Sequence, residues 1–356
     1  MPRRAKPANA DSPYPPGWEP FLDAIRADVD DDTPRLVFAD WLQENGDEER
    51  AELIRLQCAS ERAPAGHPDN AERHRRIEVL FHANWDRWTR GLPHWVRRDR
   101  FIHSFIRGFI AEVSMTAARF AKDGEAVTRL TALSTVNFSR TNVGVFRSPL
   151  LKRVGGLYLD FVDSARVDAL ASNPHLSALR YLFVGTQSDS GGSRWTRSVN
   201  GGALDRLFAN PSLVGLRQFL LKGPPHGDVV ASALAAGRFT ALEQLELNRS
   251  RLSAEGLKAV VRSASAASLR GLYVAGNLIG DDGIRHMVEA PNLGRIQSLN
   301  LVNCGLTSES VRLLADWPGL RTVRSLQLSR NGFPIEHADL IRKSHYATAL
   351  PESSLR

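Results

Sequence analysis

Cysteine is nearly absent from this sequence. Its 356 residues hold two, Cys58 and Cys304, which excludes a disulfide framework and points to a reducing compartment. No uninterrupted apolar stretch reaches the roughly 18 residues a membrane-spanning helix needs. The start, Met1-Pro2-Arg3-Arg4-Ala5-Lys6, lacks the apolar core of a signal peptide. The cytoplasm is therefore the expected location. Phosphate-binding turns of the G-x-x-x-x-G-K and G-x-G-x-x-G types are missing. His67, His74, His82, His94 and His103 gather near Cys58, but none forms the close ligand pair that zinc sites use. Asp28, Asp30, Asp31 and Asp32 lack the glycine and distal glutamate of a calcium loop, so a solvated turn between helices is expected. With no such constellation, neither a metal nor a cofactor is expected.

What is present is the composition of a folded, soluble protein, 42% hydrophobic and 24% charged. The formal net charge is +7, mostly from arginine, and the excess is densest between Arg62 and Arg107. Such a balance favours acidic partners without choosing among protein, nucleic acid and membrane surface.

Along the chain, residues 1–17 are rich in proline and charge and read as a disordered leader. Residues 18–62 carry three short helix signals. Phe21, Leu22 and Ile25 share a face. Thr33-Pro34 offers a cap with proline at the first helical position, and Leu36, Val37, Trp41 and Leu42 continue that helix to a stop at Gly46. Asp47 caps a third helix with the face Ala51, Leu53, Ile54 and Leu56. Residues 63–108 form an Arg-rich helical connector carrying Ile77, Leu80, Phe81, Trp85, Trp88 and Trp95. A repeat array fills 109–347, and 348–356 is a tail.

The array is read from its period. Leu242, Leu245 and Leu247 match L-x-x-L-x-L, and the triplet recurs as Leu269/Leu272/Val274, Ile296/Leu299/Leu301 and Val323/Leu326/Leu328, a step of 27 residues. Degenerate copies precede it: Leu216/Phe219/Leu221, Leu179/Leu182/Val184, Val154/Leu157/Leu159, Leu133/Val136/Phe138 and Ile110/Val113/Met115. The longer step between Leu182 and Phe219 maps to an insertion, Gly185–Gly202, containing Trp195. One strand and one helix cannot bury such leucines alone. Stacking completes a core and pairs the strands in parallel, giving an α/β solenoid with a curved parallel sheet inside and helices outside. Asn277 and Asn331, with Cys304 at the same step, are placed to satisfy backbone groups where each strand ends.

From Leu242 onward the chain resembles leucine-rich repeats of the ribonuclease-inhibitor class. Residues 21–25 (FLDAI), 35–44 (RLVFADWLQE), Gly46-Asp47 and 50–57 (RAELIRLQ) resemble the bacterial repeat-companion domain that precedes such arrays. Arg107-Gly108-Phe109-Ile110 resembles the point where that family's array begins. The resemblance implies a bacterial intracellular interaction protein and brings no catalytic residues.

Candidate chemistry meets a plainer reading at each motif. Asp40-Trp41 is either part of a recognition surface or an ion pair beside a packed ring. Asp189-Ser190-Gly191-Gly192 mimics a serine-protease nucleophile by coincidence, and Cys58 reads as a small core residue. The residues between the paired leucines form a column: Ser114, Asn137, Tyr158, Phe183, Leu220, Glu246, Tyr273, Asn300, Gln327. Tyr158, Phe183, Leu220 and Tyr273, with Tyr181 alongside, are an apolar patch of the kind used as a protein-binding hot spot. The insertion folding back over them is the competing reading. A second column, Arg180, Arg217, Arg270 and Arg324, is interrupted by Gly155, Glu243 and Gln297. The expected function is a non-catalytic scaffold binding a protein through the concave face, with Arg180, Arg217 and Arg270 selecting charge. The alternatives are polyanion or nucleic-acid binding through the Arg-rich connector, and regulation of a GTPase or other enzyme.

Overall fold

The computed structural model describes residues 12–64, 67–98, 105–160, 162–185, 199–222, 226–236 and 239–351. By compactness the chain divides into two units, Met1–Arg140 with Leu150–Gly156, and Thr141–Pro149 with Leu157–Arg356.

The first unit opens with α1 Glu19–Ala27, α2 Thr33–Glu44, α3 Glu48–Arg62, α4 Asn70–Trp88 and α5 His94–Arg98. A hairpin follows, β1 Phe105–Ile106 and β2 Phe109–Ile110, then β3 Glu112–Met115, α6 Ala117–Leu130 and β4 Thr135–Phe138. Asp47 caps α3 as its position suggests, accepting from the Arg50 N–H. At α2 the expected cap is one residue out. The helix begins at Thr33, Asp32 takes the cap position, and its side chain makes no capping bond. Asp32 is instead held by Arg62 at 2.8 Å and Arg107 at 3.4 Å, and a charge-assisted pair outcompetes a cap bond.

Within the stretch read as a leader, Tyr14 is buried and its hydroxyl donates to the Leu130 carbonyl at 2.9 Å. Arg26 closes the same helix end. Its guanidinium reaches the carbonyls of Thr128, Arg129 and Thr131, satisfying the last acceptors of α6 with a cation at the negative end of the helix dipole. One face of α3 grips the hairpin. Arg50 donates to the Gly108 carbonyl at 3.1 Å, and Gln57 bonds both the Phe105 carbonyl and the Gly108 N–H. The Arg50 guanidinium lies 4.2 Å from the Tyr14 ring centre, with Trp88, Phe105 and Phe109 within 6 Å, so cation–π attraction replaces part of its lost hydration.

The remaining array alternates strictly. In order come α7 Val143–Phe146, β5 Gly156–Leu159, α8 Ser164–Ala171, β6 Tyr181–Gly185, α9 Gly201–Ala209, β7 Gln218–Lys222, α10 Gly227–Ala235, β8 Gln244–Glu246, α11 Ala254–Arg262, β9 Gly271–Tyr273, α12 Gly280–Val288, β10 Ser298–Asn300, α13 Ser308–Ala315, β11 Ser325–Gln327 and α14 Ala338–Arg342. Strands β3 to β11 form one nine-stranded sheet in chain order, flanked by the helices. In the second unit Leu182, Phe219, Leu245, Leu272, Leu299 and Leu326 are successive register partners in parallel pairs. The last four triplets are buried throughout, none of their residues more than 5% exposed.

The turns leaving β8 to β11 are built around the expected ladder. Asn277 donates to the Leu247 and Val274 carbonyls and accepts from the Ser250 and Leu252 N–H groups. Asn331 repeats this with Leu301, Leu328, Cys304 and Leu306. Between them Cys304 offers its thiol to the Val274 carbonyl at 3.3 Å, and Ser250 its hydroxyl to the Leu247 carbonyl.

Candidate functional site

Because side chains alternate across a strand, burying the leucine anchors turns the residues between them to the opposite face of the sheet. Register then aligns them. Phe183, Leu220, Glu246, Tyr273, Asn300 and Gln327 are direct partners on β6 to β11, and Tyr181 lies opposite Gln218. The column is therefore one row in this unit, with Glu246 standing between Leu220 and Tyr273.

Its members are not equally available. The Tyr158 and Phe183 rings stack with centres 4.0 Å apart and planes 7° from parallel. Phe183 is 6% exposed, so it supports the row more than it presents a surface, whereas Tyr158, Tyr181, Leu220 and Tyr273 are half-buried. Glycine makes room for both ends. A Cβ on Gly185 would sit 2.9 Å from the Phe183 ring, and one on Gly271 would sit 2.8 Å from the Tyr273 ring. Tyr273 thus lies back along its own strand over Gly271.

The arginine column is in register but not uniformly charged. The backbone N–H groups of Arg217, Glu243, Arg270, Gln297 and Arg324 each bond the carbonyl of the preceding member, beginning at Arg180. Glu243 stands between Arg217 and Arg270 and lies 3.9 Å from the Arg270 guanidinium. Arg180 turns its own guanidinium to the Ser177 and Leu179 carbonyls. Only Arg270 and Arg324 are exposed.

The helical side balances its charges. Glu255, Asp282 and Glu309, 27 residues apart, pair with Lys258, Arg285 and Arg312 one turn on, the usual i to i+3 arrangement. The Arg-rich connector does the same. Arg73, Arg75, Arg76, Arg87 and Arg97 meet Asp69, Glu72, Glu52, Glu49 and Asp86. A polyanion would have to displace these carboxylates.

The remaining motifs settle into local structure. Asp40 pairs with Arg55 at 2.6 Å, and Trp41 stacks on Phe38 and leans on Phe21. Asp28 and Asp31 accept from the N–H groups of Asp30 and Thr33. Burial, reinforced by Asp32, pushes the Cys58 thiol up to about 12, and burial raises Cys304 to about 11; near neutral pH neither is a thiolate nucleophile. Among the described residues no group of three or more His, Cys, Asp or Glu could hold a metal ion, and no helix is long and apolar enough to cross a membrane. Residues 189–192 and Trp195, with most of the Gly185–Gly202 insertion, lie outside the described residues.

One feature escaped the sequence reading. The fourth residue after the central anchors Val136, Leu245, Leu272, Leu299 and Leu326 holds left-handed backbone: Arg140 (φ 58°), Arg249 (54°), Gly276 (71°), Asn303 (54°) and Arg330 (59°). Gly276 and Asn303, residue types that favour this conformation, were the available signal.

No protein-family model matches the sequence, and no curated protein does. Among solved structures, a Bacteroides fragilis protein determined by a structural genomics consortium is similar over 82% of this chain and 85% of its own, at 13% identity and a TM-score of 0.42. At that score the likeness carries no argument. This chain is an α/β repeat array whose sheet turns Tyr158, Phe183, Leu220 and Tyr273, with Glu246 among them, away from its leucine core.

Proposed function

We propose that the chain is a non-catalytic leucine-rich-repeat scaffold with a repeat-companion module in front, and that it binds a protein partner on the sheet face opposite the leucine core. The supporting observation is the in-register row Phe183, Leu220, Glu246 and Tyr273, apolar but for Glu246, with Tyr158 stacked on Phe183 and Tyr181 beside it. Half-buried rings and a leucine held on paired strands lose little entropy when a partner covers them, which is how interface hot spots are made. The helical side, with its acids and bases already paired, has less to gain from a partner. Within the row Leu220 and Tyr273 are the anchors and Phe183 props Tyr158. Arg270 is the exposed charge of the set, and Arg180 positions its turn through the Ser177 carbonyl.

The test uses tagged full-length chain expressed in its source cells, with co-purifying proteins quantified by mass spectrometry. Leu220→Asp with Tyr273→Ala should lower recovery of specific partners at least about tenfold, with a melting temperature within about 2 °C of the parent because neither side chain is fully buried. Equal recovery from the variant contradicts the reading.

A further inference from the structure

Strained backbone is the feature the face does not explain. Among the described residues, five of the six non-glycine residues with positive φ are arginines. Arginine is not a residue that favours the left-handed region, where a Cβ costs of order 1–2 kcal/mol. Arg107 has a local reason, since its side chain reaches the Val29 and Asp30 carbonyls and Asp32. Arg249, Arg251 and Arg330 have none. Their side chains are exposed and have no acidic partner among the described residues. The same step of the repeat accepts Gly276 and Asn303, so the turn itself does not require arginine.

In strand order these arginines fall on either side of an exposed leucine, Arg249 and Arg251 in the turn after β8 and Arg330 in the turn after β11. Leu278 is 85% exposed, at the position that Arg251, Gly305 and Gly332 occupy in neighbouring repeats. The stem of Arg249 reaches the Gly276 turn, its Cγ 2.7 Å from where a Cβ would stand, two residues before Leu278 on the carboxyl edge of β8 to β11. We propose that this edge is a second recognition site, taking an extended acidic peptide segment with an apolar residue between its carboxylates. Guanidinium groups suit carboxylates, and the bare leucine favours a peptide over a phosphate backbone, which has no apolar group to place there. The β8 and β11 turns are three strands apart, about 14 Å. An extended peptide covers that in about four residues, which sets the spacing of the two acids.

The probe is a fluorescein-labelled octapeptide with glutamates four residues apart around a central leucine, titrated against full-length chain by fluorescence anisotropy. Arg249→Gly with Arg330→Gly should weaken binding about tenfold or more, while the melting temperature holds or rises by about 2 °C as backbone strain is released. Leu278→Ser should weaken binding without changing its dependence on salt. The edge assignment is overturned if the double variant binds as the parent does or melts lower. It is equally overturned if a copy of the peptide with serine for leucine, or oligothymidylate, binds as tightly as the probe. Leu220→Asp leaves this edge untouched, so failure here and failure of the face reading are separate results.

Discussion

Asn277→Ala is expected to destabilise the repeat array by about 3–5 kcal/mol, the largest effect of any single substitution considered. The side chain is fully buried and makes four bonds, two donated and two accepted. Removing it leaves the buried Ser250 and Leu252 N–H groups without their acceptor, while the Leu247 and Val274 carbonyls lose one of two donors and keep the Ser250 hydroxyl and the Cys304 thiol. Each lost partner costs roughly 1 kcal/mol or more when the group left behind is buried. Asn277→Asp should fare little better, since a carboxylate can accept from the two N–H groups but meets the two carbonyls with like charge. Asn331→Ala is the comparison. It makes the same four bonds but is only half-buried, so water can replace part of what is lost and the cost should be smaller. Chemical denaturation of the three variants gives the order directly, and equal midpoints for Asn277→Ala and the parent would remove the ladder from the account.

The second large effect belongs to the first unit. Gly108 ends the hairpin turn with φ 87°, and a Cβ there would stand 2.1 Å from Ile54 Cγ1. Gly108→Ala therefore combines backbone strain with overpacking against α3, about 2–4 kcal/mol together. It also pushes apart the groups that Arg50 and Gln57 hold. Because the chain has two compact units, the loss is best followed by limited proteolysis alongside thermal melting. Earlier cleavage between Arg50 and Ile110 is expected while the sites in β8 to β11 keep their protection. A variant cleaved at the parent rate would mean that α3 does not depend on the hairpin.

How much of this was legible in advance follows from which interactions are periodic. Leu245, Leu272, Leu299 and Leu326 recur at a fixed step because each must fill the same slot in the stack, and that alone leads to the parallel sheet. The Asn277 ladder was readable for the same reason. The apolar column was readable as a list, yet its unequal burial was not: the stacking of Tyr158 on Phe183 joins residues of two different repeats. The arginine column misled more. Sequence places Arg180, Arg217 and Arg270 in one line but cannot show Arg180 turning to its own carbonyls or Glu243 approaching Arg270. In the connector, likewise, a run of arginines looks like a cationic strip until folding brings Glu49 and Glu52 alongside. Charge counts ignore partners; distances supply them.

The central claim, that the sheet face opposite the leucine core recognises a partner, is tested most directly by site-specific photo-crosslinking. A benzoylphenylalanine at position 220 is compared with one at position 312 on the helical side, each in full-length chain in its source cells. A discrete cross-linked species from position 220, absent from 312 and lost on adding Tyr273→Ala, is the predicted result. Cross-linking from position 312 alone, or equally from both, would contradict it.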